Sequence, residues 1–433
     1  MNEIAGKLNA ELEGTIAGAL LSERGRRLYF PRGIVAQSAE AKEQAHNLNA
    51  TAGIAAAGGQ PLFLPSIKEH LPHLKPAEIV SYAPTAGVPE LRDMWMREMI
   101  QKNPSLAGKD TSRPVVVSGL THGLAVLADL FIEPGDTVIL PDLYWGNYRL
   151  IFEDRMQARI RTFALFAESG SLNLEGLHEC LCSEAAEDAP EKVILLLNFP
   201  NNPTGYTPSQ AEAGRLIRLL HEAAERGRKI LLICDDAYFG LFYEEDTYAQ
   251  SIFAEAADLH ENILAFKVDG ATKENLVWGF RIGFLTFASR SLRARDTACQ
   301  ALSQKLLGAV RGSVSSSSVL GQSLLLKAMQ SRNYAEEKRS VFRILEERYR
   351  RSRQILAGLP GPLKVLPFNS GYFLCFDTAA VRAEQLRQRL LVNEGIGTIS
   401  IRDHYLRVAY SSVDVQALEQ LYASLAANAS ALL

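Results

Sequence analysis

The chain has 433 residues, of which 47% are hydrophobic and 22% charged, with a formal net charge of -3. That profile belongs to an ordinary globular protein of two to three domains and carries no basic stripe for nucleic acid. Five cysteines, an odd number and few for this length, argue against a disulfide framework and for a reducing compartment. Cys180 and Cys182 are one residue apart, the wrong spacing for zinc, so no metal is expected. The mixed, charged N-terminus lacks the order of a signal peptide, and the apolar patch 16–21 is too short to span a bilayer. A cytoplasmic location is therefore expected.

Residues 1–30 read as one amphipathic helix with a break available at Gly14, followed by a turn at Phe30-Pro31-Arg32-Gly33. Further helices are expected at 38–46, 67–74 and 89–100. The segment 49–59, rich in Ala and Gly, suits a linker or a close approach of backbone to ligand. From 114 onward strands and helices alternate. Strands are expected at 114–117, 136–140, 158–163, 193–198, 229–234, 263–268 and 281–287, and helices at 123–130, 147–153 and 208–226. Apolar runs separated by helical patterns predict a mostly parallel seven-stranded sheet covered on both faces. Long helices follow at 291–307, 313–329 and 334–358. The pattern then changes to strands at 363–367, 371–377, 396–401 and 405–410, with helices at 380–394 and 414–428. The expected organisation is a large domain, 60–330, and a smaller discontinuous α+β domain made of 1–59 and 331–433.

Within Val268–Phe284, Lys273 sits between small residues and Arg281 lies inside Gly279-Phe-Arg-Ile-Gly283. A lysine in such a loop can lose solvation, lower its pKa and act as an amine nucleophile. A fixed cation nearby suits a cofactor phosphate. Taken alone these are an ordinary loop lysine and a surface arginine. Two further segments supply the rest of a pyridoxal phosphate site. Asn198–Gly205 (NFPNNPTG) follows an apolar strand, and Asn202 can donate to the 3-oxygen of such a ring. Asp235 and Asp236 end the next apolar strand. Asp235, nearer the strand, is the candidate partner for a protonated pyridine nitrogen, leaving Asp236 to cap a turn. Tyr238 can also reach the 3-oxygen. Ser118-Gly-Leu-Thr-His122 opens a helix, so the amides of Gly119 and Leu120 and the hydroxyl of Thr121 are phosphate candidates, with His122 a packing residue. Trp145, with Tyr144 as the alternative, can stack on a flat heterocycle.

In this order, from about Asn49 to Arg407, these residues resemble the aspartate aminotransferase family, the class I/II aminotransferases of fold type I. The resemblance implies pyridoxal 5′-phosphate held by Lys273 as a Schiff base, with Asp235 and Tyr238 beside it. It implies cofactor contacts from Gly119, Leu120, Thr121, Trp145, Asn202, Thr272, Arg281 and, across a dimer interface, Tyr82 of Tyr82-Ala-Pro-Thr-Ala-Gly87. Asn49-Ala-Thr-Ala-Gly-Ile54 is similar to the substrate loop, with Gly53 at its contact position, and Arg407 in Tyr405-Leu-Arg-Val-Ala409 corresponds to the α-carboxylate ligand. The implied partners are an L-amino acid (aspartate-like or aromatic), a 2-oxo acid such as 2-oxoglutarate, and a second copy of the chain. A β-lyase or decarboxylase on the same fold is the alternative. Two departures stand out. Gly270 replaces a frequent serine three residues before the lysine, with Thr272 available as a substitute hydroxyl. Arg311, expected to read a side-chain carboxylate across the dimer, is followed by Gly-Ser-Val-Ser-Ser instead of the family's Pro, Tyr and Asn-Pro.

Overall fold

The computed structural model describes residues 2–13, 15, 20–29, 33–182, 192–293, 295–378 and 381–433. The expected first helix is two short ones among these residues, Glu3–Glu11 and Glu23–Arg27. Gly14 and the turn residues 30–32 lie outside the described set. Helix α1 (Ile34–Gln44) begins four residues before the expected 38. The segment after it joins the C-terminal part of the chain, because Leu48–Asn49 pairs in parallel with Ile396–Gly397.

Helix α2 (Pro89–Lys102) precedes the main sheet. The sheet's strands are β1 (Val115–Val117), β2 (Thr137–Pro141), β3 (Arg159–Phe163), β4 (Lys192–Leu197), β5 (Lys229–Asp235), β6 (Ile263–Gly270) and β7 (Gly283–Ala288). They lie in the order β1-β7-β6-β5-β4-β2-β3. Only β7 is antiparallel, to both β1 and β6. In β4 and β5 every residue after the leading lysine is buried, as a sheet covered on both faces requires. Helix α3 (Leu120–Phe131) covers β1, β6 and β7. It packs closely: a Cβ on Gly123 would lie 3.1 Å from Leu285 and 3.2 Å from Val268. Helix α4 (Gln210–Glu225) opens with a Ser209/Glu212 capping box, in which each satisfies a free backbone N–H of the other.

A single helical turn, α5 (Ala271–Glu274), follows β6. Then come α6 (Asp296–Ser313), α7 (Val319–Gln330) and α8 (Tyr334–Leu356). A four-stranded sheet of β8 (Lys364–Val365), β9 (Leu374–Asp377), β10 (Ile399–Ile401) and β11 (Tyr405–Val408) is flanked by α9 (Ala383–Glu394) and α10 (Leu418–Ser430). Residue 380, the expected start of α9, lies outside the described set. Two elements differ in kind from expectation. Residues 147–153 form a wider π turn at Arg149–Asp154, and Leu174–Cys182 is a helix that the periodicity reading did not include.

The two sheets meet where Asn198–Gly205 docks on residues 369–373. Gly205 accepts hydrogen bonds from the backbone N–H groups of Asn369 and Ser370. It has φ +72°, and a Cβ there would lie 2.0 Å from the Phe373 carbonyl oxygen. Gly205→Ala therefore meets left-handed strain and a collision with backbone. We expect a loss of about 2–4 kcal/mol, read from the urea unfolding midpoint. Gly227→Ala, at φ +88° with no heavy atom within 4 Å, carries the strain alone and is expected to cost about 1–2 kcal/mol.

Candidate active site

A cavity of about 260 Å³ opens where the C-terminal ends of the central strands face the smaller sheet, the place where open α/β sheets bind ligands. Its walls include Gly53, Leu120, Thr121, Trp145, Asn202, Asp235, Tyr238, Thr272, Lys273, Arg281 and Arg407. Gly119 lies just behind the wall: it has φ +80°, and a Cβ there would sit 2.5 Å from the Arg281 guanidinium. Glycine at 119 thus leaves the guanidinium its seat beside the N-terminus of α3. In that first helical turn the N–H groups of Leu120 and Thr121 have no intrahelical acceptor, which suits an anion. Arg281 itself is held at φ +54°.

Gly270 is explained by the same packing. A Cβ there would lie 2.7 Å from the Ile282 carbonyl oxygen and 2.9 Å from Gly283, so a serine would force β6 and β7 apart. The Thr272 hydroxyl, two residues on, is buried without a hydrogen-bond partner.

Asp235 is 3% exposed at the end of β5. Its Oδ2 accepts from the Tyr148 hydroxyl at 2.7 Å and its Oδ1 from the Ala237 N–H at 3.2 Å. Burial raises its pKa against the opposing effects of Tyr148 and Lys273. Asp236 does not cap a turn as expected. Strand alternation turns it to the other face, where its carboxylate lies 2.6 Å from the Lys267 ammonium, itself 3.0 Å from Asp269. Burial pushes Asp236 up to about 6.

The Lys273 ammonium lies 4.9 Å over the Tyr238 ring. Burial, which disfavours the charged amine, lowers its pKa to about 8, with Arg281 adding to the shift and Asp235 opposing it. Arg407 is 3% exposed. It donates to Asn202 Oδ1 at 3.0 Å and to the Thr51 carbonyl at 2.9 Å, and lies 4.3 Å over the Phe373 ring. Its Nε has no partner, and burial lowers its pKa to about 10. Because a guanidinium only donates, this contact also orients the Asn202 amide and leaves its NH2 free to donate.

Trp145 lines the cavity, edge-on to Tyr148 at 5.5 Å. Tyr144 is turned to Arg402, 5.7 Å from its ring. His122 bonds the Ser118 N–H and the Ser313 hydroxyl, as a packing residue does. Two expected residues are not brought to the cavity by this chain. Tyr82 is 96% exposed, on a segment fixed by Gly87, whose Cβ would meet Val116 at 2.1 Å. Arg311 is exposed and donates to Ser315 at 2.7 Å.

Several wall residues were not singled out by the sequence reading. Tyr148 lies four positions after Tyr144 in an aromatic segment, which was a usable signal. Asn198 bonds the Asp235 carbonyl at 2.8 Å and accepts from the Asn202 N–H at 2.8 Å, tying β4 to β5. Ile34 and Ser38 reach the cavity from α1, and nothing local in their sequence marked them.

The residues fit pyridoxal phosphate. A phosphate would meet Arg281 and the start of α3, with the unpartnered Thr272 hydroxyl near it, and a pyridine nitrogen would meet a buried carboxylate. Comparison with known proteins agrees. Residues 51–425 match the family model "Aminotransferase class I and II", and the chain belongs to that family, whose members are pyridoxal phosphate-dependent aminotransferases. Among curated relatives, a protein named probable aspartate/prephenate aminotransferase from Aquifex aeolicus is 27% identical over 312 residues, 70% of each chain. The aspartate/prephenate aminotransferase of Thermus thermophilus is 25% identical over 340 residues, 76% of this chain and 79% of that one. In structure, an aminotransferase from Anaerococcus prevotii superposes with a TM-score of 0.83 at 24% identity, over 94% of this chain and 98% of that one. The fold is fold type I. Among the described residues no helix is long and apolar enough to cross a membrane.

Proposed function

We propose that this aminotransferase takes the amino group of an aspartate-like or aromatic L-amino acid and passes it to a 2-oxo acid, 2-oxoglutarate first among them. The observation that carries the reading is Arg407, a buried cation with an unpartnered Nε that faces the same cavity as Lys273 and Asp235. A buried charge calls for a counter-charge, and a substrate carboxylate supplies one with the bidentate geometry a guanidinium favours. The names of the relatives support the aspartate-like and aromatic classes.

When bound, pyridoxal phosphate supplies an aldehyde for the amine and an electron-accepting ring. Arg281, Thr272, Leu120 and Thr121 would hold its phosphate; the expected Gly119 amide is spent on the Val117 carbonyl, so Gly119 serves instead by leaving Arg281 its seat. Trp145 would cover the ring face, Asn202 and Tyr238 would donate toward the 3-oxygen, and Asp235 would keep a proton on the pyridine nitrogen. Lys273 would hold the cofactor through its amine, and that amine, once free, is placed to take the proton from the substrate Cα. Near pH 8 a large share of that amine is neutral and able to do so. Arg407 and Gly53 seat the carboxylate end and orient the Cα–H.

The protein acts as a homodimer in this reading. Tyr82 reaches the partner's phosphate site and Arg311 its substrate side chain; the exposure of both supports this. The division into 60–330 against 1–59 with 331–433 belongs to the same reading, supported by the residues that make up each sheet. So does a cytoplasmic location.

The test is an absorbance titration of the cofactor-loaded protein with L-aspartate, L-glutamate, L-tyrosine and L-alanine in turn. We expect the visible band to collapse with a dicarboxylic or aromatic donor and to return with 2-oxoglutarate. A band that shifts without cycling would replace transamination by elimination or decarboxylation.

A further inference from the structure

Lys273 is carried by α5, a single turn from Ala271 to Glu274 whose N-cap, Gly270, offers no side chain. One turn does not hold itself, because nucleating a helix costs more than its first bonds return. Support comes from outside. Glu274 Oε1 lies 2.5 Å from the ammonium of Lys102 on α2 and 2.5 Å from that of Lys338 on α8. Glu98 on α2 completes the cluster, 3.1 Å from Lys102 and 4.0 Å from Lys338. Asn275 donates to the Tyr334 hydroxyl at 2.6 Å, and the Tyr372 hydroxyl donates to the Lys273 carbonyl at 3.1 Å. Burial pushes the Glu274 carboxyl up, but Lys102 and Lys338 outweigh it and hold its pKa at about 2.

We infer that Glu274 is a positioning residue for Lys273. It pins the turn to α2 and α8 at once, and it keeps a nearby cluster of two carboxylates and two ammoniums electrically balanced. The inference rests on Lys273 being the cofactor-binding lysine. Glu274 stands one residue beyond it and does not line the cavity. The groups that face the Lys273 amine itself are Asp235, Tyr238 and Arg281, with Tyr148 and Arg407 elsewhere on the cavity wall. Removing the Glu274 charge leaves one uncompensated positive charge beside this set. Positive potential disfavours the protonated form of a nearby nitrogen and so lowers its pKa. A bolt that merely stabilised the fold would not shift that titration.

The experiment uses cofactor-loaded wild type, Glu274→Gln, Lys338→Met and the double variant. It reads kcat, KM, thermal midpoint and the pH midpoint of the visible band. For Glu274→Gln we expect kcat to fall about tenfold with KM changed less than about twofold, the pattern of a misplaced group that acts after binding. Its band midpoint should move to lower pH. Lys338→Met should move the midpoint upward. The double variant restores charge balance and should recover the midpoint and part of kcat. Wild-type kcat and midpoint in Glu274→Gln would overturn the inference, even with a lower thermal midpoint. So would a double variant that recovers neither. A wild-type protein with no visible band on adding pyridoxal phosphate would instead overturn the assignment of Lys273, and this inference with it.

Discussion

Replacing Lys273 by alanine should abolish the visible absorbance of the cofactor-loaded protein and reduce turnover by about 10²–10⁴-fold or more, the contribution of a positioned proton-transfer group. The expectation follows from where the amine sits. Its pKa is lowered to about 8 by burial among the cavity walls, so it is available as a nucleophile and base at a pH where an exposed lysine stays charged. Among the described residues no other lysine lines the cavity. Lys267 is sealed on the far side of the sheet by Asp236 and Asp269, and Lys102 and Lys338 are held by Glu274. Added methylamine should restore part of the activity, because the missing group is an amine at a place the cavity leaves open. A variant that keeps both the band and turnover would remove Lys273 from the site.

Asp235→Asn is expected to lower kcat on the order of 10²–10³-fold, the cost of removing one preorganised electrostatic partner. Asparagine has nearly the same shape but cannot keep a proton on the pyridine nitrogen through a negative charge. The same substitution has an opposite consequence for the cofactor-free fold. Burial raises the Asp235 pKa above its ordinary value of 3.8, so the native state binds that proton more tightly than the unfolded chain does. Whatever stability this gives is present below the ordinary carboxylate range and is lost as pH rises through the folded pKa. Asparagine carries no such loss. The cofactor-free variant should therefore gain stability relative to wild type as pH is raised from about 4 to 8, because the wild-type carboxylate must be buried charged. Urea midpoints across that range check the sign. A gap that widens in favour of wild type on raising the pH would mean that Asp235 is stabilised in its ionised form.

The two substitutions together mark a site maintained against the interests of the fold. Lys273 is buried in a form that disfavours its charge, and Asp235 likewise. Arg407 keeps an unpartnered Nε. Each is costly alone, and each is relieved by a ligand of opposite character, so binding of cofactor and substrate should raise stability by mass action.

Local chemistry made much of this legible in the sequence. The strand periodicity and the apolar runs predicted seven strands, and, their order in the sheet aside, their positions follow from side chains that can only be covered on both faces. Asp235, Asn202 and Lys273 stand out as candidates because each closes or follows an apolar strand, where the backbone must turn. Gly119 and Arg281 sit in glycine-marked turns. What the sequence did not disclose required distant segments to meet. The antiparallel direction of β7 depends on its pairing with β1 and β6. Asp236 found Lys267 across neighbouring strands, and strand alternation, not its neighbour Asp235, decided which way it faced. Tyr148 and Ile34 become wall residues only once the sheet and α1 are assembled. The Glu274 cluster joins residues 98, 102, 274 and 338. Charges so far apart along the chain have no pattern of their own, because what pairs them is the low-dielectric interior that packing creates.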